Sequence, residues 1–153
     1  MSFTQNYLEL PADFYTQLSP EPLAQAHLVA LNRDLIQQHQ INLSDQDILD
    51  ITSGEVVEGM HPLAQKYTGH QFGYYNPDLG DGRGILLGQW QTPENQQFDW
   101  HLKGAGRTPY SRRGDGRAVL RSVIREYLAS EALHALGVPT TRALAIVSGD
   151  EQV

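Results

Sequence analysis

A lysine and a glutamate separated by 23 positions follow a glycine-rich stretch of this sequence. The stretch reads Leu79-Gly80-Asp81-Gly82-Arg83-Gly84, the lysine is Lys103 and the glutamate is Glu126. A glycine loop, a strand lysine and a helix glutamate, in that order, form a set of parts that can hold the phosphates of a nucleotide. The spacing therefore predicts a bound nucleotide, and the elements around these residues must position them on one site.

The glycine-rich stretch has two interpretations. Gly80 and Gly82 allow positive φ and close approach of the backbone to a phosphate, and Arg83 would add a charged contact to the same group. A hairpin turn with a surface arginine accounts for the same letters, because short Gly-x-Gly motifs are common.

Lys103 ends an alternating run, Phe98-Asp99-Trp100-His101-Leu102-Lys103, which predicts a strand with His101 and Lys103 on one face. At the mouth of a cleft its ammonium could reach a phosphate, whereas a solvated strand terminus is the plainer alternative. Glu126 could orient Lys103 through an ion pair. Its plainer alternative is an intrahelical pair with an arginine, although Arg121 and Arg125 are poorly spaced for it.

Asp115 and Gly116 precede the helix that carries Glu126. Asp115 is predicted to cap that helix. Both residues could also contact the nucleotide, with the Gly116 backbone near a phosphate and the Asp115 carboxylate on a sugar hydroxyl, a base amine or an arginine. Further candidates for the same anion are Arg107, Arg112, Arg113 and Arg117.

Several strands and one long helix are expected around these residues. The strands are predicted at 74–75, 84–91, 97–103 and 143–147. The hairpin loop 92–96 joins two of them, and glycines keep 104–116 irregular. An apolar stripe at helical spacing predicts a helix over 117–136 that stops at Gly137. This order is that of a protein-kinase-like small, N-terminal lobe, so the predicted fold class is α+β, with an antiparallel sheet and one long helix.

The lobe is predicted to occupy residues 74–153, ending before a large lobe, and residues 1–73 are predicted to be a helical and irregular extension that packs on it. The first 20 residues read as irregular because Pro11 and Pro20 interrupt them. The other predicted elements are a strand at 27–31, helices at 32–39 and 45–51, the second capped by Ser44, and a helix passing into a loop over 60–73.

Composition narrows the class of protein. The 153 residues are 40 % hydrophobic and 19 % charged, contain no cysteine and have no run long enough to span a membrane. These features, with no secretory or transit signal, favour a cytoplasmic globular protein. The net charge of −7 is uneven, since residues 100–125 hold seven basic residues and one acidic residue. A local basic segment in an acidic chain indicates a site for a small anion and argues against nucleic acid.

Longer motifs carry a family resemblance. The strings His61-Pro62-Leu63-Ala64, Gly69-His70-Gln71-Phe72-Gly73, Leu79 to Gly84, His101 to Arg112 and Gly114 to Arg121 resemble the selenoprotein O family over the whole chain. That family is similar to protein kinases in fold, and its members are pseudokinase protein adenylyltransferases. They bind ATP in a flipped orientation and transfer AMP to Ser, Thr or Tyr hydroxyls of target proteins.

The resemblance implies that ATP contacts Gly80, Gly82, Arg83, Lys103, Asp115 and Gly116, and that Glu126 pairs with Lys103. The flipped orientation of ATP would place Lys103 and Arg83 on the outer phosphates and leave the α-phosphorus open to attack. It also implies that the general base and the Mg²⁺ ligands lie in sequence beyond Val153. No catalytic residue and no metal ligand is therefore expected within residues 1–153, and these residues alone should not transfer AMP. The alternatives are a catalytically inactive nucleotide-binding scaffold and a kinase that transfers a phosphoryl group.

Overall fold

A computed structural model describes residues 3–151 of the chain. The strands are β1 (Phe3–Thr4), β2 (Tyr15–Gln17), β3 (His27–Leu31), β4 (Leu63–Gln71), β5 (Tyr74–Gly80), β6 (Gly84–Gln91), β7 (Gln97–Lys103) and β8 (Ala145–Ser148). The helices are α1 (Arg33–Gln38), α2 (Asp45–Thr52) and α3 (Leu120–Ala135), with short 3₁₀ turns at Asn6–Glu9 and Ala12–Phe14.

Six strands form one antiparallel sheet. Its order is β1-β6-β4-β2, with β5 also paired to β4 and β7 also paired to β6. The strands β3 and β8 form a separate antiparallel pair. This arrangement confirms the predicted α+β class and a kinase-like small lobe with one long helix. The six-stranded sheet contains strands from both the predicted extension, residues 1–73, and the predicted lobe, residues 74–153.

The central strand is β6, which is buried along its length except at Gln91. Its side chains Ile85 and Leu87 are fully buried and begin the hydrophobic core. The buried hydrophobic residues that complete this core are Phe3, Ile41, Ile51, Met60, Trp90 and Ala105. Full burial of a large apolar side chain contributes about 1.5–3 kcal/mol, so this cluster fixes β6 and the strands on either side of it.

The strands β6 and β7 begin and end where the sequence predicts. Their turn is closed by hydrogen bonds from the Thr92 amide to the Gln96 carbonyl at 2.8 Å and from the Asn95 amide to the Thr92 carbonyl at 2.9 Å. Helix α2 is also confirmed, with a capping box in which Ser44 and Asp47 bond each other's backbone amides. These elements are locally encoded.

Two predicted segments are wrong. Residues 60–73 were expected to be a helix passing into a loop, but most of the segment is β4. Its outer half is exposed on both faces, so it lacks the alternation that identifies a strand. Within the first 20 residues, β1 pairs with β6 and β2 pairs with β4. These short edge strands are held by tertiary pairing, which local sequence does not encode.

Helix α3 begins three residues later than predicted, at Leu120, because residues 117–119 are still extended or looped. It ends before Gly137, whose φ is +77° and which closes the helix as predicted. No residue of α3 is buried, and its apolar stripe is solvent-exposed at Leu120, Ile124 and Leu128, as is the C-cap residue Leu136. The helix packs mainly against β8.

Candidate nucleotide-binding site

The glycine-rich loop, residues 80–84, joins β5 to β6 and packs against the loop formed by residues 104–116. A Cβ atom on Gly80 would lie 2.5 Å from the Tyr110 ring, and one on Gly82 would lie 2.9 Å from the Tyr110 carbonyl oxygen. Neither glycine has the positive φ that the sequence suggested. Close packing, and not left-handed backbone, therefore requires glycine here.

Hydrogen bonds from the 104–116 loop hold the tip of the glycine-rich loop. The tip consists of Asp81, Gly82 and Arg83, and each of their backbone carbonyl oxygens accepts one hydrogen bond. The donors are Thr108 Oγ1 to Asp81 at 2.6 Å, Ser111 Oγ to Gly82 at 2.5 Å and the Gly104 amide to Arg83 at 2.7 Å. Because each tip residue is held from the same side, the loop is a fixed turn that projects the exposed Arg83 side chain.

The Asp81 side chain is held inside the lobe. It is only 9 % exposed, and its Oδ2 accepts a hydrogen bond from the Gln65 amide at 3.1 Å and lies 3.2 Å from His101 Nε2. Burial, together with the charge of Asp81, raises the pKa of the neighbouring Tyr67 hydroxyl. The carboxylate is thus directed towards β4 and β7, where the Gln65 amide and His101 are its partners.

Lys103, the last residue of β7, contacts Glu126 on α3. Its Nζ donates hydrogen bonds to both carboxylate oxygens of Glu126. The two side chains remain 38 % and 47 % exposed, so the pair lies at a surface open to solvent. An ammonium with three donors that is paired on one side still has a hydrogen atom to offer a phosphate oxygen.

Asp115 and Gly116 form a tight turn ahead of α3. Gly116 has a φ of +77°, and a side chain there would overlap the Gly106 carbonyl group. The Asp115 carboxylate accepts a hydrogen bond from the Arg117 amide at 2.8 Å. The prediction that Asp115 caps the helix is wrong, because α3 starts at Leu120 and its N-cap residue is Val119.

The candidate arginines of this region differ in their surroundings. The Arg117 side chain is only 9 % exposed, bonds the carbonyl oxygens of Glu21 and Pro22 at 2.9 and 3.3 Å, and pairs with Glu151 at 2.9 Å. Its charge is used inside the lobe, so it joins the chain near residue 21 to the Gly116 turn. Arg112 is exposed, and it donates to the Gln71 side chain at 3.1 Å. The exposed guanidinium groups of Arg107 and Arg113 also lie on the 104–116 loop.

One cleft collects the predicted residues. It has a volume of about 1670 Å³, and the six proposed ligand residues and Glu126 all line it. Its walls are β4, the glycine-rich loop, β7, the 104–116 loop and α3. The cleft is wide and open to solvent.

Within residues 3–151, no three His, Cys, Asp or Glu side chains are grouped closely enough to hold a metal ion. None of the helices in the same range combines the length and the apolar character that a membrane span requires.

The comparison with known proteins decides the family. A family model described as protein adenylyltransferase SelO matches residues 1–153. The chain belongs to the SelO family. This confirms the resemblance drawn from the motifs around the glycine-rich loop, Lys103 and the Gly116 turn.

Curated relatives in the SelO family are named protein nucleotidyltransferase YdiU. The protein from Hydrogenovibrio crunogenus is 64 % identical over 153 residues, which cover 96 % of this chain and 32 % of the relative. Those from Klebsiella pneumoniae and Vibrio parahaemolyticus are 55 % and 54 % identical, over all of this chain and 33 % and 32 % of their own lengths. The chain spans about a third of the length of these relatives.

Sequence reasoning missed the residues that hold the site together. Thr108, Tyr110 and Ser111 lie in the segment predicted to be irregular. Thr108 and Ser111 bond to the glycine-rich loop across 27 and 29 positions, and the Tyr110 ring packs beside Gly80. Asp81 and His101 were seen only as parts of motifs. A carboxylate between two glycines was the available signal, since an acidic residue at an anion site requires a reason to be there.

Proposed function

We propose that the protein containing this SelO-family chain is a protein adenylyltransferase, and that the chain supplies one wall of its ATP site. The observation that carries this proposal is the Lys103–Glu126 ion pair, which faces the glycine-rich loop across one cleft. The family description supports transfer of an adenylyl group, whereas the name of the relatives specifies only transfer of a nucleotidyl group to protein. The cytoplasm is its proposed compartment.

The proposed contacts to ATP follow from placement in the cleft. Arg83 at the tip of the fixed loop and Lys103 on β7 hold the outer phosphates, and Glu126 orients Lys103. Backbone groups and one carboxylate complete this wall of the site. The proposed ATP-binding residues are Gly80, Gly82, Arg83, Lys103, Asp115 and Gly116.

The proposed reaction joins a protein hydroxyl to AMP. The hydroxyl oxygen of a Ser, Thr or Tyr residue forms a bond to the α-phosphorus, and the bond from that phosphorus to the β-phosphate bridging oxygen breaks. Pyrophosphate leaves, and the hydroxyl proton passes to a general base. We place that base and the Mg²⁺ ligands outside residues 1–153, as the family resemblance implies.

Product analysis tests this function in the full-length protein. ATP labelled at the α-phosphate should label protein and release pyrophosphate, and the Lys103→Ala variant should lose most of this label. Protein labelled from the γ-phosphate, with ADP as the second product, would identify a kinase instead. Nucleotide binding without either product would identify a scaffold.

Residues 1–153 alone provide a second test. Because they supply one wall of the cleft and no metal ligands, we expect weak ATP binding and no detectable AMP transfer even with Mg²⁺. The measurement is incubation of the purified segment with labelled ATP and candidate proteins. Clear transfer would show that the catalytic groups lie inside this segment.

A further inference from the structure

His101 lies beneath the glycine-rich loop, on the same side of β7 as Lys103. Its Nε2 is 3.2 Å from Asp81 Oδ2, and its ring fills the space beside Gly84, where a Cβ atom would lie 2.5 Å from Cε1. The ring therefore contacts the loop on both sides of Gly82 and Arg83. The ring, which is 38 % exposed, therefore joins the loop that carries Arg83 to the strand that carries Lys103.

Asp81 requires a partner of opposite charge or strong hydrogen-bond donors, because it is a largely buried carboxylate. The Gln65 amide supplies one neutral donor. His101 supplies the second and is the side chain in direct contact that can become a cation. Neutral histidine can donate from Nε2 to Asp81, which leaves Nδ1 as the nitrogen that gains a proton.

Other charges around the cleft oppose or favour that proton. Lys103, two residues along β7, and Arg83 on the loop disfavour a further cation, as do the cleft residues Arg112 and Arg117. Besides His101, the acidic or titratable cleft residues include Asp81 on the loop, Asp99 on β7, Glu126 and Tyr127 on α3, Tyr67 and His70 on β4, Asp78 on β5, and Tyr110 and Asp115 on the 104–116 loop. Since Glu126 is paired with Lys103, phosphates bound to Arg83 and Lys103 would turn the local balance negative.

We propose that His101 and Asp81 position the glycine-rich loop for the nucleotide, and that His101 gains a proton from solvent when the phosphates bind. This inference rests on the proposed nucleotide-binding function. The added charge strengthens the contact with Asp81 and holds Arg83 over the phosphates. By linkage, nucleotide binding then becomes tighter as pH falls.

Calorimetry of the full-length protein with α,β-methylene ATP tests the proposal. Binding is measured at pH 6, 7 and 8, each in two buffers of different ionisation enthalpy, so that proton uptake is counted directly. The His101→Gln variant keeps a donor for Asp81 but cannot gain a proton. His70→Gln is the matched control, because His70 also lines the cleft but its ring packs on Tyr75, 5.5 Å between centroids.

We expect wild type and His70→Gln to take up part of a proton and to bind roughly threefold more tightly at pH 6 than His101→Gln, with affinities that converge at pH 8. Comparison between variants cancels the titration of the nucleotide itself. Equal proton uptake in His101→Gln and wild type would overturn the proposal while leaving nucleotide binding intact. Absence of binding in the wild type would overturn both.

The wild type alone gives a second measurement that needs no variant. The His101 ring signals are followed by NMR through a pH titration, with and without α,β-methylene ATP. A larger protonated fraction of His101 at pH 7 in the presence of the nucleotide supports the proposal. An unchanged or smaller fraction contradicts it, whatever the folding of the variants.

Discussion

Helix α3 carries two glutamate ion pairs that differ in solvent exposure and in the number of hydrogen bonds that the carboxylate accepts. Glu131 and Arg142 are 22 % and 18 % exposed, whereas Glu126 and Lys103 are 47 % and 38 % exposed. The Glu131 carboxylate accepts four hydrogen bonds. They come from Arg142 Nε at 2.9 Å, Arg142 Nη2 at 2.8 Å, Asn32 Nδ2 at 2.8 Å and the Ala143 amide at 3.0 Å.

The difference separates a pair that holds the fold from a pair available for chemistry. The Arg142 guanidinium, aided by the Ala143 amide and Asn32, lowers the pKa of Glu131 to about 2 against the opposing effect of burial. Glu131 therefore fixes α3, which buries none of its own residues, to β3, α1 and β8. Glu126, whose carboxylate is paired with Lys103, is left open to the cleft on the helix that Glu131 secures.

The largest expected effect on stability comes from the less exposed pair, Glu131–Arg142, which we call the inner pair. Glu131→Ala would leave Arg142 and Asn32 without their partner and should destabilise α3 by about 3 kcal/mol. Hydrogen exchange of the α3 amides in the full-length protein measures this loss. Protection equal to wild type would show that another contact anchors the helix.

Variants of the basic cleft residues should lose activity and keep the stability of α3. In the full-length protein, Arg83→Ala and Lys103→Ala should each reduce AMP transfer at least about tenfold, or about 1.4 kcal/mol of transition-state stabilisation, with α3 protection unchanged. Lys66→Ala is the matched control, because Lys66 pairs with Asp78 at 3.9 Å and does not line the cleft. Near-normal transfer by either cleft variant would refute its assignment.

Acid should weaken the inner pair in a defined range. The Glu131 pKa is lowered by folding, so its contribution is complete above its ordinary value of 4.5 and is lost as pH falls towards about 2. Wild type should lose α3 protection between pH 5 and 2 more steeply than Glu131→Gln, which has no carboxylate to protonate. Parallel curves for the two proteins would assign the acid sensitivity to other groups.

The smallest effect is expected at a third ion pair that is exposed at both ends. Arg33 and Asp45 approach to 2.5 Å, but their side chains are 64 % and 51 % exposed. Solvent screening and side-chain entropy cancel most of such a contact. Arg33→Ala should therefore leave the thermal midpoint unchanged within error, and a clear decrease would show that exposure does not rank these pairs.

The same contrast explains what the sequence could predict. The strands β6 and β7, helix α2 and the stop at Gly137 follow from local patterns and caps, and the sequence places them closely. Glu126 and Lys103 are found because their motif fixes their order. Glu131, Arg142 and Arg117 were not predicted as structural ties, because their partners are chosen by tertiary contacts. The edge strand β1 was missed for the same reason, whereas β4 was missed because its outer half lacks the alternation that identifies a strand.

The pairing of β3 with β8 has a consequence for how the protein folds. His27 lies opposite Ser148, so this small sheet closes only after nearly the whole stretch has been synthesised. Contacts so distant in sequence slow folding, since chain entropy is lost before they form. Until then β3 is an unpaired, largely apolar strand, and such strands are prone to aggregate.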